Sequence, residues 1–134
     1  MQANRTQRLT TVLAMLLASA IIVHAGVLDG TKWKVRLVPD KAAADKGEKE
    51  FDDELIFTDG KFTSTALLRR GFKPSKYHAE VEPREAEFEV QQVSETDGTA
   101  DWHGEIRGTN TVGGLEWTQK DRGYLLFKFT GTKE

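Results

Sequence analysis

The sequence predicts an all-β fold, an antiparallel up-and-down barrel of about eight strands with one short helix. Apolar side chains alternate with polar ones over most of the chain after residue 30, and a period of two is typical of half-buried strands. Asp-Gly pairs at 59–60 and 97–98 lie between such stretches, and this dipeptide favours hairpin turns. Consecutive hairpins give antiparallel pairing, and closing the sheet removes its exposed edges. An open sandwich of two sheets is the alternative.

Residues 1–25 have the three regions of a secretory signal peptide that would precede this barrel. Arg5 and Arg8 give a short basic start, and an uncharged, largely apolar run of 15 residues follows from Leu9 to Val23. The run is short for a membrane span of about 20 residues. Val23 and Ala25 are small residues at the cleavage positions. We therefore expect cleavage after Ala25, and a periplasmic or secreted protein of one β-barrel domain, residues 26–134, without a membrane span.

The composition excludes several classes of partner and site. The chain has a net charge of −2 at pH 7, and loss of the two signal-peptide arginines would raise the acidic excess to four. An acidic protein does not suit nucleic acid, because phosphate binding needs lysine and arginine. The sequence has no cysteine, which excludes disulfides, thiol nucleophiles and thiolate metal sites. An exported domain without disulfides depends on core packing and fits a bacterial periplasm.

The strands follow one another with short turns. Residues 31–38 alternate between apolar and basic side chains, and Pro39 ends this strand. The polar segment Asp40–Glu50 predicts a long surface loop, and residues 53–64 predict a hairpin around Asp59-Gly60. Further alternating stretches predict strands over 76–81, 85–94, 99–107, 111–119 and 124–130.

The one predicted helix follows the first hairpin. Ser64 or Thr65 supplies an N-cap, because their hydroxyls accept from the free amides of the first turn. The helix would run to Arg70, and Gly71 can end it in the left-handed conformation. Phe72 would then pack back onto this turn.

The stretch Gly30-Thr31-Lys32-Trp33, followed by a meander of strands, resembles the calycin superfamily, which includes lipocalins, fatty-acid-binding proteins, avidins and small bacterial metalloprotease inhibitors. The resemblance implies structural roles for Gly30 and Trp33, with the tryptophan plugging the closed end of the barrel. Small exported bacterial proteins of unassigned activity are also similar. That similarity covers residues 57–64, Gly71-Phe72, Trp102-His103-Gly104 and Leu115-Glu116-Trp117.

Catalytic motifs are missing from the mature sequence. His78 and His103 are its only histidines, and neither belongs to a nucleophile or zinc-binding motif. Asp101 and His103 share the outer face of one strand, where solvated side chains are the rule. We therefore predict that the protein is not an enzyme and has no metal or cofactor. A basic patch formed by Arg69, Arg70, Lys73 and Lys76 either steers an acidic partner or follows from the helix C-terminus.

Two functions remain open, because an eight-stranded barrel is either filled by side chains or holds one small ligand. In the first, the barrel binds a small hydrophobic or aromatic molecule and the turn Ala66–Phe72 acts as a lid. In the second, a solid-core interaction or inhibitor protein contacts a protein partner through the loop Asp40–Glu50 or its N-terminal arm. The candidate ligand-binding residues of the first function are Trp102, Trp117, Tyr77 and Phe88.

Overall fold

The structure, a computed structural model, describes residues 26–134. The predicted signal peptide and most of its cleavage site lie outside these residues. The elements in chain order are β1 (Thr31–Pro39), α1 (Lys41–Asp45), β2 (Phe51–Thr58), β3 (Lys61–Ser64), α2 (Thr65–Leu68), β4 (Ser75–Val81), β5 (Ala86–Ser94), β6 (Gly98–Arg107), β7 (Asn110–Gln119) and β8 (Gly123–Lys133).

The eight strands form a closed antiparallel barrel in which each strand pairs with its sequence neighbours. The barrel closes where β8 pairs with β1, and Leu37 lies opposite Phe129 in that register. The predicted all-β up-and-down barrel is therefore confirmed, and closure excludes the open sandwich. Within residues 26–134, the helices are too short and too polar to cross a membrane.

The hairpin at Asp59-Gly60 is confirmed with the expected backbone. Both residues have positive φ, 53° for Asp59 and 72° for Gly60, which is the signature of a type I′ turn. The other predicted hairpin also forms, between β5 and β6, but there Gly98 alone of the Asp97-Gly98 pair takes a positive φ, of 89°.

The segment Asp40–Glu50, predicted as a loop, contains the helix α1 instead, and this part of the prediction is wrong. Asp40 is its N-cap, because its Oδ1 accepts from the Ala43 amide at 2.8 Å. The three alanines from Ala42 to Ala44 are strong helix formers. Ala43 is buried against the barrel, so α1 covers part of its end.

The predicted helix after Ser64 forms as α2, although it ends at Leu68 rather than Arg70. The Ser64 hydroxyl accepts from the Leu67 amide at 3.1 Å, as an N-cap does. β3 pairs with β4 at only two positions, so the wall is interrupted beside the first half of β2. α2 contacts β2 and β3 there, with Leu67 buried.

The barrel has two unlike ends. The helical end carries α1, α2 and the turns at 95–97 and 120–122, whereas the N-terminal end carries residues 26–30 and the turns at 59–60 and 108–109. Eight aromatic side chains of the strands face the interior and are at most 2% exposed. They are Trp33, Phe57, Phe62, Phe88, Trp102, Trp117, Phe127 and Phe129.

Candidate functional site

The four candidate ligand-binding side chains all point into the barrel, where the structure brings three of them into one aromatic cluster. Phe88 contacts Phe57 edge-on at a centroid distance of 5.1 Å, and Phe57 contacts Tyr77 at 4.9 Å. Trp102 joins this cluster through Phe62, and the centroids of the two rings lie 5.2 Å apart. Edge-to-face pairs at such distances stabilise a core beyond the area that they bury.

Trp117 lies apart from that cluster, at the helical end. Phe72 packs against it edge-on at 5.8 Å and is itself fully buried. The Arg70 guanidinium lies 4.6 Å from the centre of the Trp117 ring and also pairs with Asp97. The segment Ala66–Phe72, predicted as a lid, is therefore anchored to the barrel. These contacts also assign Arg70 of the predicted basic patch a structural role.

The indole N–H groups of the two candidate tryptophans already have partners within the protein. Trp102 Nε1 donates to Gln92 Oε1 at 3.0 Å, and the Gln92 amide in turn donates to the Lys73 carbonyl. Trp117 Nε1 donates to the Asp97 carbonyl at 2.7 Å. A ligand pocket orients its ligand with a few convergent polar groups. These two indole N–H groups already bond to the protein itself, so neither is free to orient a ligand.

The Tyr77 hydroxyl closes the N-terminal end. It accepts from the Leu28 amide at 2.9 Å and donates to Asp29 Oδ1 at 2.8 Å. The same carboxylate accepts from the Gly60 amide, which ties residues 28–29 to the first hairpin. Burial, together with the hydrogen bond to Asp29, raises the pKa of Tyr77 to about 12.

Gly30 and Trp33, predicted as structural residues, lie at this same end. Gly30 has a φ of 86° and its amide donates to the Phe57 carbonyl at 2.8 Å. Trp33 is 2% exposed, and its Nε1 donates to the Thr31 hydroxyl at 3.0 Å. These contacts connect the start of β1 to the barrel interior.

Two glycines show how the middle of the barrel is filled. Gly104 and Gly113 are opposite one another on β6 and β7, with Phe88 and Phe129 as their outer neighbours in the same row. A Cβ on Gly104 would lie 2.3 Å from Phe88 Cζ, and one on Gly113 would lie 2.5 Å from Phe129 Cζ. The two phenylalanine rings stack over the space that side chains at 104 and 113 would take.

A buried carboxylate that is not among the predicted site residues lies beside α2. Asp53 is 8% exposed, and its Oδ2 accepts from the Ser64 hydroxyl. Its Oδ1 accepts from the Ala66 amide at 2.9 Å and from the Glu54 amide at 2.7 Å. Burial raises the pKa of the Asp53 carboxyl above its ordinary value, and these hydrogen bonds offset only part of that effect. The sequence did contain a signal for this burial, because Asp53 lies two residues before Leu55 and therefore on the same inward face of β2.

Replacing Asp53 should change how stability depends on pH. Because its pKa is raised in the folded state, the folded protein holds this proton to higher pH than the unfolded chain, so stability falls as pH rises through that window. Asp53→Asn removes the titration. We expect the unfolding free energy of wild type minus that of Asp53→Asn to grow as pH falls, by at most about 1.4 kcal/mol per pH unit.

Urea unfolding over a series of pH values measures this difference. Asp121→Asn, which changes an exposed turn residue, is the control and should leave a small, flat difference. A constant difference between wild type and Asp53→Asn would mean that the Asp53 carboxyl titrates normally.

The outer face of the barrel holds both histidines of the described residues. His78, Glu89 and His103 lie opposite one another on β4, β5 and β6. In the part of the chain that the structure describes, no group of three or more histidine, aspartate or glutamate side chains is arranged to hold a metal ion. Asp101 and His103 share this outer face, as predicted, and Asp101 accepts from the Gln91 side chain.

Comparison with protein-family models, curated proteins and solved structures gives no significant match to this chain. The closed barrel of eight antiparallel strands is consistent with a calycin-like fold, and the fold is compatible with a binding protein. The function therefore has to be inferred from the geometry of the barrel itself.

Proposed function

We propose that this protein is an exported β-barrel binding protein with a filled interior, which acts on a protein partner through its outer surface. The observation that carries the proposal is the row Phe88, Gly104, Gly113 and Phe129, because two glycines face inward where two phenylalanine rings occupy the barrel centre. The proposal assigns no catalytic role and no cofactor.

The closed ends of the barrel support this proposal over an interior ligand site. At the helical end Phe72 covers Trp117, and at the N-terminal end Leu28 and Asp29 bind the Tyr77 hydroxyl. A ligand that entered the barrel would have to displace these contacts. The predicted ligand-binding roles of Trp102, Trp117, Tyr77 and Phe88 stay a prediction that the experiment below tests.

The loop around α1 supports a surface that is organised before binding. Arg122 pairs with Glu48 and donates to the Lys46 carbonyl at 2.7 Å, while Lys46 Nζ donates to the Arg122 carbonyl at 3.1 Å. On the other side of the loop, Arg36 pairs with Glu50 at 2.8 Å. A loop that is already ordered loses little conformational entropy when it binds a partner.

The test uses protein recovered from expressing cells. Tryptophan fluorescence is titrated with a panel of fatty acids, retinoids and aromatic dyes, and we expect no saturable change, because Trp102 and Trp117 are buried and their indole N–H groups are bonded within the protein. N-terminal sequencing of the same sample should begin at Gly26 if the protein is exported and cleaved. A saturable shift that Trp102→Phe abolishes would overturn the filled-barrel proposal, and an uncleaved chain in the cytoplasm would overturn export.

A further inference from the structure

A groove of about 880 Å³ opens along strands β5 to β8 and into the start of the loop after β1. Part of its lining is apolar, since Val112 is 48% exposed and Leu126 is partly exposed. Gly114 belongs to the same outer face, and the His103 ring lies over it. We call this surface the acidic groove, because carboxylates line it beside the apolar side chains.

Carboxylates line this groove. Glu87 and Glu89 come from β5, Glu105 comes from β6, and Asp40 lies at the opposite side. The basic or titratable nitrogen groups that line it are those of Lys128 and His103. Four carboxylates against one lysine give the groove a negative potential that attracts cations.

The register of the strands makes part of this charge costly for the fold. Glu87 lies directly opposite both Glu80 on β4 and Glu105 on β6, and like charges in directly opposed positions destabilise a sheet. The ion pairs found between described residues involve other carboxylates. A row of three unpaired glutamates is a destabilising arrangement that a cationic partner would relieve.

We propose that the acidic groove binds a protein segment in which lysine or arginine residues flank one apolar side chain. The inference rests on the proposed function, since it specifies the chemistry of the protein partner. The apolar side chain would lie on Val112 and Leu126, while the flanking cations approach Glu87, Glu89 and Glu105. Charge complementarity favours this partner, and the apolar lining favours a peptide over a small hydrophilic cation.

The test uses the capped peptide Lys-Lys-Leu-Lys-Lys as the probe and measures its binding to the mature protein by two-dimensional NMR. A matched peptide with serine in place of leucine keeps the charge and lacks the apolar side chain. We expect the leucine peptide to bind more tightly by about fivefold, and its amide shifts to map to β5–β8. Removing two carboxylates with Glu87→Gln/Glu105→Gln should weaken its binding about tenfold.

A control double variant, Glu95→Gln/Asp121→Asn, makes the same change in net charge at two exposed turns of the helical end. It should bind the leucine peptide within about twofold of wild type. The groove variant should fold, because it removes like-charge repulsion, and its urea midpoint is expected to match or exceed that of wild type. Val112→Ser should abolish the preference for the leucine peptide over the serine peptide.

Three results would overturn the inference: no binding of the leucine peptide, equal binding of both peptides or of spermidine, or equal weakening by both double variants. The last two would mean attraction to net negative charge alone. None of them bears on the filled barrel, which the fluorescence titration with apolar ligands tests. The two proposals can therefore fail separately.

Discussion

Phe88→Ala is expected to destabilise the protein by about 3–5 kcal/mol, because it removes a fully buried ring from the centre of the barrel. The ring contacts Phe57 and stacks near Phe129, and it covers Gly104 from inside. The cavity would be lined by rings that are fixed on several strands, so little collapse can refill it. Urea unfolding followed by far-UV circular dichroism measures the loss.

A double-mutant cycle with Gly104 tests whether the glycine and the ring share one space. Gly104→Ala alone should cost about 1–3 kcal/mol, since its Cβ would lie 2.3 Å from Phe88 Cζ. Combined with Phe88→Ala, the new methyl group enters the vacated volume. We expect the double variant to be more stable than the sum of the single changes predicts, by at least about 1 kcal/mol.

Gly114→Ala is the matched control for this cycle. Its neighbour on the adjacent strand is the end of the His103 side chain, whose Cε1 would lie 2.7 Å from the new Cβ. That ring can rotate away on the outer face, so the cost should be small and independent of Phe88. Additive effects of Gly104→Ala and Phe88→Ala would contradict a shared volume and weaken the case for a filled barrel.

Much of the fold was predictable because strand alternation is a local property. Trp33 and Phe88, among other apolar side chains, fall inward by a period of two that needs no knowledge of the partner strand. The turn at Asp59-Gly60 was equally local, since its backbone demands residues that tolerate positive φ. The prediction missed the helix α1 because it gave Gly47 more weight than the alanine triplet and did not consider Asp40 as an N-cap.

The filled interior was harder to predict, because it depends on register between strands. Gly104 and Gly113 are unremarkable in sequence, and they become informative only when β6 and β7 place them opposite one another beneath two rings. The row of three glutamates on β4, β5 and β6 also depends on the register between strands. Alternation alone places Glu87 on an outer face, but its opposition to Glu80 and Glu105 follows from the lengths of two turns.

Gly98→Ala is the second substitution with a large expected effect, and its cause lies in the backbone. Gly98 has a φ of 89°, and a Cβ there would lie 1.9 Å from the Thr118 carbonyl oxygen on β7. Because the obstructing atom belongs to the main chain, a rotamer change cannot relieve the overlap. Left-handed strain of about 1–2 kcal/mol adds to a steric cost of about 1–3 kcal/mol, which gives an expected loss of about 2–5 kcal/mol.

Gly108→Ala separates these two contributions. Gly108 has a φ of 58° in the turn between β6 and β7, and nothing lies within 4 Å of a Cβ placed there. It should therefore lose only the strain of about 1–2 kcal/mol. Urea unfolding of both variants gives the comparison. Equal losses of stability in the two variants would show that the β7 backbone moves at Thr118 to make room for the new methyl group. The pairing of β6 with β7 would then be less rigid than the hydrogen bond from the Trp117 indole to the Asp97 carbonyl implies.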